Sequence, residues 1–145
     1  MKRFIYMIIA AAAITVSCNK EVPQIDYRTT LTGEWHGTVQ SYDADIYLSF
    51  NEDGSFDLYQ RIGEGRHEHF TGTWKIDGKV LSGTYSNGDG WGSSYELTFV
   101  TEDAFTTTAL NGSGETVSYT REAIPSEVME NSLIFPTHAE LTTAI

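Results

Sequence analysis

Between Leu31 and Ala123 apolar and polar side chains alternate with a period of two, and no stretch shows helical spacing. Thr, Tyr, Val, Phe and Trp dominate this region, the residues that suit a pleated, half-buried surface. The alternation predicts eight extended segments over 33–41, 45–50, 55–62, 67–76, 79–85, 92–100, 104–110 and 115–122. Turn chemistry separates them. Asn51-Glu52-Asp53-Gly54 and Asp77-Gly78 suit tight hairpins with glycine in a left-handed conformation; Asn87-Gly88-Asp89-Gly90 and Asn111-Gly112-Ser113-Gly114 suit longer ones. Such short connections require antiparallel neighbours, because a parallel crossover needs a dozen or more residues. One face collects Trp35, Val39, Ile46, Leu48, Phe50, Phe56, Leu58, Phe70, Trp74, Ile76, Leu81, Tyr85, Tyr95, Leu97, Phe99, Phe105, Val117 and Tyr119, while the other is mostly Thr, Ser, Asp, Glu, Gln and His. One dry face and one wet face predict an all-β, eight-stranded antiparallel up-and-down barrel, whose closure removes both sheet edges. A two-sheet sandwich is the competing closure.

The two ends break the alternation. Lys2 and Arg3 precede an almost unbroken apolar run from Phe4 to Ile14, and Thr15-Val16-Ser17 then leads into Cys18. A basic start, a short apolar run and a small-residue exit predict a secretory signal over residues 1–17. The run is too short to span a bilayer, which needs roughly 20 apolar residues. With Cys18 at the expected cut, it resembles the bacterial lipobox. That resemblance implies lipidation of Cys18, membrane attachment through the lipid, and residence in the bacterial cell envelope, at the outer membrane. Residues 18–28 are polar, contain Pro23 and read as a tether. The barrel is expected over 29–123 and a C-terminal tail over 124–145. In that tail Ser126 would cap a short helix over Glu127 to Leu133, ended by Ile134-Phe135-Pro136.

Charge narrows the partners. The chain carries −11 at neutral pH, and removal of residues 1–17 takes Lys2 and Arg3 and carries it to −13. Phosphate contacts need a basic face, so no nucleic-acid partner is expected. Anionic headgroups would repel such a surface, which leaves the lipid on Cys18 as the membrane contact. Cys18 is also the single cysteine, so stability must come from a hydrophobic core rather than disulfides.

The first strand opens Gly33-Glu34-Trp35, and the last carries Tyr119-Thr120-Arg121-Glu122. A Gly-x-Trp at the head of an eight-stranded meander, with a basic residue on the last strand, resembles the lipocalin and calycin group. Gly72-Thr73-Trp74 and Leu81-Ser82-Gly83-Thr84-Tyr85 look like strands of small bacterial lipocalin-like lipoproteins. The resemblance implies that Trp35 seals the closed end with Arg121 lying across it, a stack worth about 0.5–2 kcal/mol.

An eight-stranded barrel is just wide enough to be filled by side chains or to hold one small ligand. Two functions follow. One is a binding protein for a small, largely apolar ligand held at the open end near Trp91, Tyr85 and Tyr95. The other is an envelope interaction or inhibitor protein with a filled core, acting through its surface.

Other chemistry finds less support. His67 and His69 share a strand face, but a zinc site wants three or four ligands and no third is evident; His36 lies on a strand remote in order. The two are expected to face solvent on the wet side. Asn87 and Asp89 lack the bidentate Glu of a calcium loop. No Gly-x-Ser-x-Gly turn is present, and Asp43 and Asp45 read as solvated carboxylates in a turn. No enzymatic activity, metal or cofactor is expected.

Overall fold

The computed structural model describes residues 25–39 and 41–134. A short helix, α1 (Tyr27–Leu31), leads into eight strands: β1 (Gly33–Val39), β2 (Ala44–Phe50), β3 (Ser55–Ile62), β4 (Glu68–Asp77), β5 (Val80–Tyr85), β6 (Tyr95–Val100), β7 (Ala104–Ala109) and β8 (Thr116–Arg121). A second helix, α2 (Ser126–Asn131), and a two-residue strand, β9 (Leu133–Ile134), follow. Strands β1 to β8 pair antiparallel with their sequence neighbours, and β1 also pairs with β8, so the meander closes into one barrel. A sandwich of separate layers is thereby excluded.

Tyr27 and Arg28, assigned to the tether by composition, belong to α1. Asp26 caps that helix: its carboxylate accepts the Thr29 backbone N–H at 3.3 Å and the Thr29 hydroxyl at 2.7 Å. The signal, Cys18 and most of the tether, along with the tail beyond Ile134, lie outside the described residues.

Helix α1 closes one end of the barrel. Leu31, Trp35, Phe50, Phe56 and Phe105 are the largest fully buried side chains. The Trp35 indole N–H donates to the Leu31 carbonyl at 2.8 Å, which ties the strand to the helix above its own start. The Arg121 guanidinium lies 4.1 Å from the Trp35 ring centroid. Arg121 also donates from Nη2 to the Thr30 carbonyl at 2.8 Å and from Nη1 to the Thr32 carbonyl at 3.1 Å, satisfying backbone acceptors at and just past the end of α1. Gly33 has a positive φ of 126°, and a Cβ there would run into Arg121. The Gly-x-Trp spacing thus serves a close approach of the last strand's arginine to the first strand's backbone.

Three departures from strict alternation shape the rest. Leu97 is buried, but a bulge shifts the register between Leu97 and Phe99, so Phe99 points outward at 54% exposure and Val100 packs on the core instead. Phe99 was expected inside; period-two counting cannot see one extra residue. Second, β5 and β6 share only the pairs Val80–Glu96 and Leu81–Tyr95. Beyond them the loop over 86–94 takes the place of a strand: the Tyr85 N–H donates to the Asp89 carbonyl at 2.7 Å and the Trp91 N–H to the Gly83 carbonyl at 3.0 Å.

Third, the chain after β8 is a strap across the barrel's outside. The Glu122 N–H donates to the Glu34 carbonyl and the Ile124 N–H to the Glu34 carboxylate, both on β1. The Arg66 Nε–H reaches the Asn131 carbonyl at 2.6 Å, the Leu133 N–H donates to the His67 carbonyl, and β9 pairs in parallel with Glu68 and His69 of β4. The strap therefore passes over β1, β2 and β3. The C-terminal helix is present, one residue earlier at its start and two shorter at its end than the pattern predicts.

Candidate functional site

Closure leaves a cavity of about 230 Å³ inside the barrel. Its floor is apolar: Leu48, Leu81 and Phe105 face it, and Trp35 meets Phe105 edge-on beneath, with ring centroids 4.7 Å apart. Higher up the lining turns aromatic and polar. Tyr85 ends β5, Tyr95 begins β6, and Trp91 hangs from the loop between them; all three line the cavity. Gln60, Thr107 and Tyr119 join them. Tyr42, in the turn between β1 and β2, and Glu115, in the turn before β8, form part of the rim.

Trp91 folds back onto the barrel rather than standing free. Its ring makes edge contacts with Phe56 at 5.2 Å and Tyr95 at 6.2 Å between centroids. It also lies flush on Gly83, where any Cβ would overlap the indole. Glycine at 83 is a packing requirement, since the loop crosses the weak β5–β6 seam at this point. The indole N–H is buried and has no hydrogen-bond partner among the described residues. A buried unpaired donor is costly, and such groups in a folded protein call for an explanation.

The phenols of this wall stay neutral. Burial raises the pKa values of Tyr85, Tyr95 and Tyr119, with Tyr119 pushed furthest. The Glu115 charge adds to the rise at Tyr95 and Tyr119, and at Tyr42, whose hydroxyl lies 3.4 Å from each Glu115 carboxylate oxygen. Neutral phenols offer both a donor and an acceptor. The cavity can therefore sort ligands by hydrogen bonding as well as by apolar fit.

Sequence reasoning missed Tyr42, Gln60, Thr107 and Glu115. Gln60 and Thr107 sit at inward positions two residues from Leu58 and Phe105, so polar residues in the dry register were the available signal. Tyr42 and Glu115 lie in turns 73 residues apart and carry no local signal at all.

The outer face under the strap overturns a second expectation. His36, Asp45, Tyr47, Tyr59, His67 and His69 do not face open water. Asp45 receives His36 Nε2 on one oxygen and His67 Nε2, at 2.8 Å, on the other. His36 Nδ1 meets Glu122 of the strap at 2.8 Å, and His69 Nε2 meets Asp57 at 2.8 Å. His36 stacks on Tyr47 and His69 on Tyr59, which is 6% exposed although it points outward. Pairing β1 with β2 and covering both with the strap joins residues that looked remote. Asp45 is likewise no solvated turn residue. Burial pushes its carboxyl up, but the bonds from His36 and His67 outweigh this and hold it below the usual carboxylate range. These contacts are histidine–carboxylate hydrogen bonds rather than a metal cage: no group of three or more His, Cys, Asp or Glu among the described residues could hold a metal ion.

No protein-family model matches the chain, and no curated protein matches it significantly in sequence.

Proposed function

We propose that this chain is a lipid-anchored binding protein of the bacterial cell envelope, a lipocalin-like barrel that holds one small, largely apolar ligand and performs no catalysis. The observation that carries the reading is the cavity of about 230 Å³ walled by Trp91, Tyr85 and Tyr95. An apolar cavity of about 150 Å³ accepts benzene, whereas pockets for drug-sized ligands run from roughly 300 Å³ upward. The space here suits a single ring with a short substituent. It also favours ligand binding over an interaction protein with a filled core, since a filled core would leave no such void. The apolar floor supplies the affinity, and the neutral phenols supply orientation. The N-terminal pattern ending at Cys18 supports the anchor, and the polar residues after it support a tether that holds the barrel off the membrane.

Native mass spectrometry of the full chain, extracted gently from its host in detergent, tests the reading. A co-purified small molecule of about the cavity's size is the expected result. A chain that carries none, or that leaves the host bound to another protein, would overturn it in favour of a surface-acting role.

A further inference from the structure

We infer that the ligand is a small organic cation: an amine whose ring or chain fills the apolar floor while its ammonium group sits among the tyrosine rings beneath Glu115. This rests on the barrel being a ligand-binding module, and it specifies the chemistry of what enters.

The described lining contains one carboxylate, Glu115, and no Lys, Arg or His. Tyr42, Tyr85, Tyr95, Tyr119 and Trp91 surround the upper cavity with aromatic rings. The faces of such rings carry partial negative charge and attract ammonium groups, which is the basis of aromatic cages. Glu115 makes its charge felt inside, because it is among the causes that raise the phenols of Tyr42, Tyr95 and Tyr119. The same field that disfavours a phenolate favours a cation. The Tyr42 hydroxyl is held 3.4 Å from each carboxylate oxygen, a long contact. An ammonium group can approach a carboxylate to about 2.7–2.9 Å and would displace it. The whole chain carries −11, which raises the local concentration of cations near the mouth. A carboxylate ligand meets the opposite conditions: it would be buried beside Glu115 with no positive partner in the lining, an expensive arrangement.

The test compares three probes of one shape on the full chain in detergent, followed by calorimetry and tryptophan fluorescence: 2-phenylethylamine, 2-phenylethanol and phenylacetate. At neutral pH the amine should bind about tenfold tighter than the alcohol, in the range of a cation–aromatic contact, and phenylacetate should bind weakest. Glu115→Gln should lower the amine-to-alcohol ratio several-fold, leaving the part that the aromatic rings supply, and an unchanged ratio would overturn the role given to Glu115. Tyr42→Phe, which frees the carboxylate, should widen that ratio, and it keeps the inference testable if the first variant does not fold. Equal binding of amine and alcohol, or tighter binding of phenylacetate, would overturn the cation and leave the binding module standing. If no probe binds while the host-extracted protein still carries a small molecule, the cation inference alone falls. If no probe binds and no small molecule is carried, both fall.

Discussion

Trp35 and Trp91 are the same side chain in opposite circumstances. Trp35 has its indole N–H bonded to Leu31, its face covered by Arg121 and no exposure at all. Trp35→Ala should therefore cost about 3–5 kcal/mol in a denaturant titration, and a loss under about 1 kcal/mol would place the ring outside the core. Trp91 keeps its indole N–H buried and without a hydrogen-bond partner among the described residues. Asp45 gives a pH-dependent prediction. Because its folded pKa is depressed, the folded state binds fewer protons there than the unfolded chain. Its contribution is thus present above the ordinary carboxylate pKa of about 4 and is lost as pH falls through the lower folded value. Asp45→Asn should destabilise by about 1–3 kcal/mol at neutral pH and by much less near pH 2–3, as unfolding curves at the two pH values would show. Equal losses at both would mean that the histidine bonds do not act through the carboxylate's charge.

At the scale of elements, two positions on either side of one hairpin separate alternation from real burial. Phe105 is fully buried, whereas the bulge turns Phe99 outward. Phe105→Ala should cost about 3–5 kcal/mol, and Phe99→Ser should stay within roughly 0.5 kcal/mol. Comparable losses in urea unfolding would show that the bulge is absent. The loop over 86–94 is the other informative element, because it stands in for strand pairing along the β5–β6 seam. Gly83→Val should lift the indole off the seam. A red shift in tryptophan emission and at least a several-fold loss of affinity for any cavity ligand are expected, while an unchanged spectrum would show that Trp91 does not rest there.

For the whole molecule, the described part is a barrel with one end sealed by α1 and a strap bound across its outside. Among the described residues no helix is long and apolar enough to cross a membrane. Membrane attachment in the proposed reading rests on lipid, since the acidic chain would be repelled by anionic headgroups. A single acyl chain holds only marginally, and two or more give stable attachment. Cys18→Ser should release the chain from the membrane fraction or leave it as an uncleaved precursor. Undiminished lipid labelling of that variant would refute the anchor.

The amino-acid sequence determined the strand number, the antiparallel order and the inward register of most strands, whereas the stacking of Arg121 on Trp35 was only an implication of a family resemblance. The first three follow from local rules: side chains alternate across a pleat, turns declare themselves through Gly, Asn and Asp, and short connections force neighbours to pair. Trp91, Tyr85 and Tyr95 were legible because aromatic residues beside a glycine-rich loop stand out within a single stretch of chain. Only the tertiary structure decided that a void survives among so many aromatic residues, that Tyr42 and Glu115 meet at its rim, that Phe99 leaves the core, and that His36 and His67 share Asp45 beneath the strap. Each of these depends on where the sheet closes on itself and on where one bulged residue falls. Ring closure brings together residues far apart in the chain, and nothing in a local pattern of polar and apolar positions records that meeting.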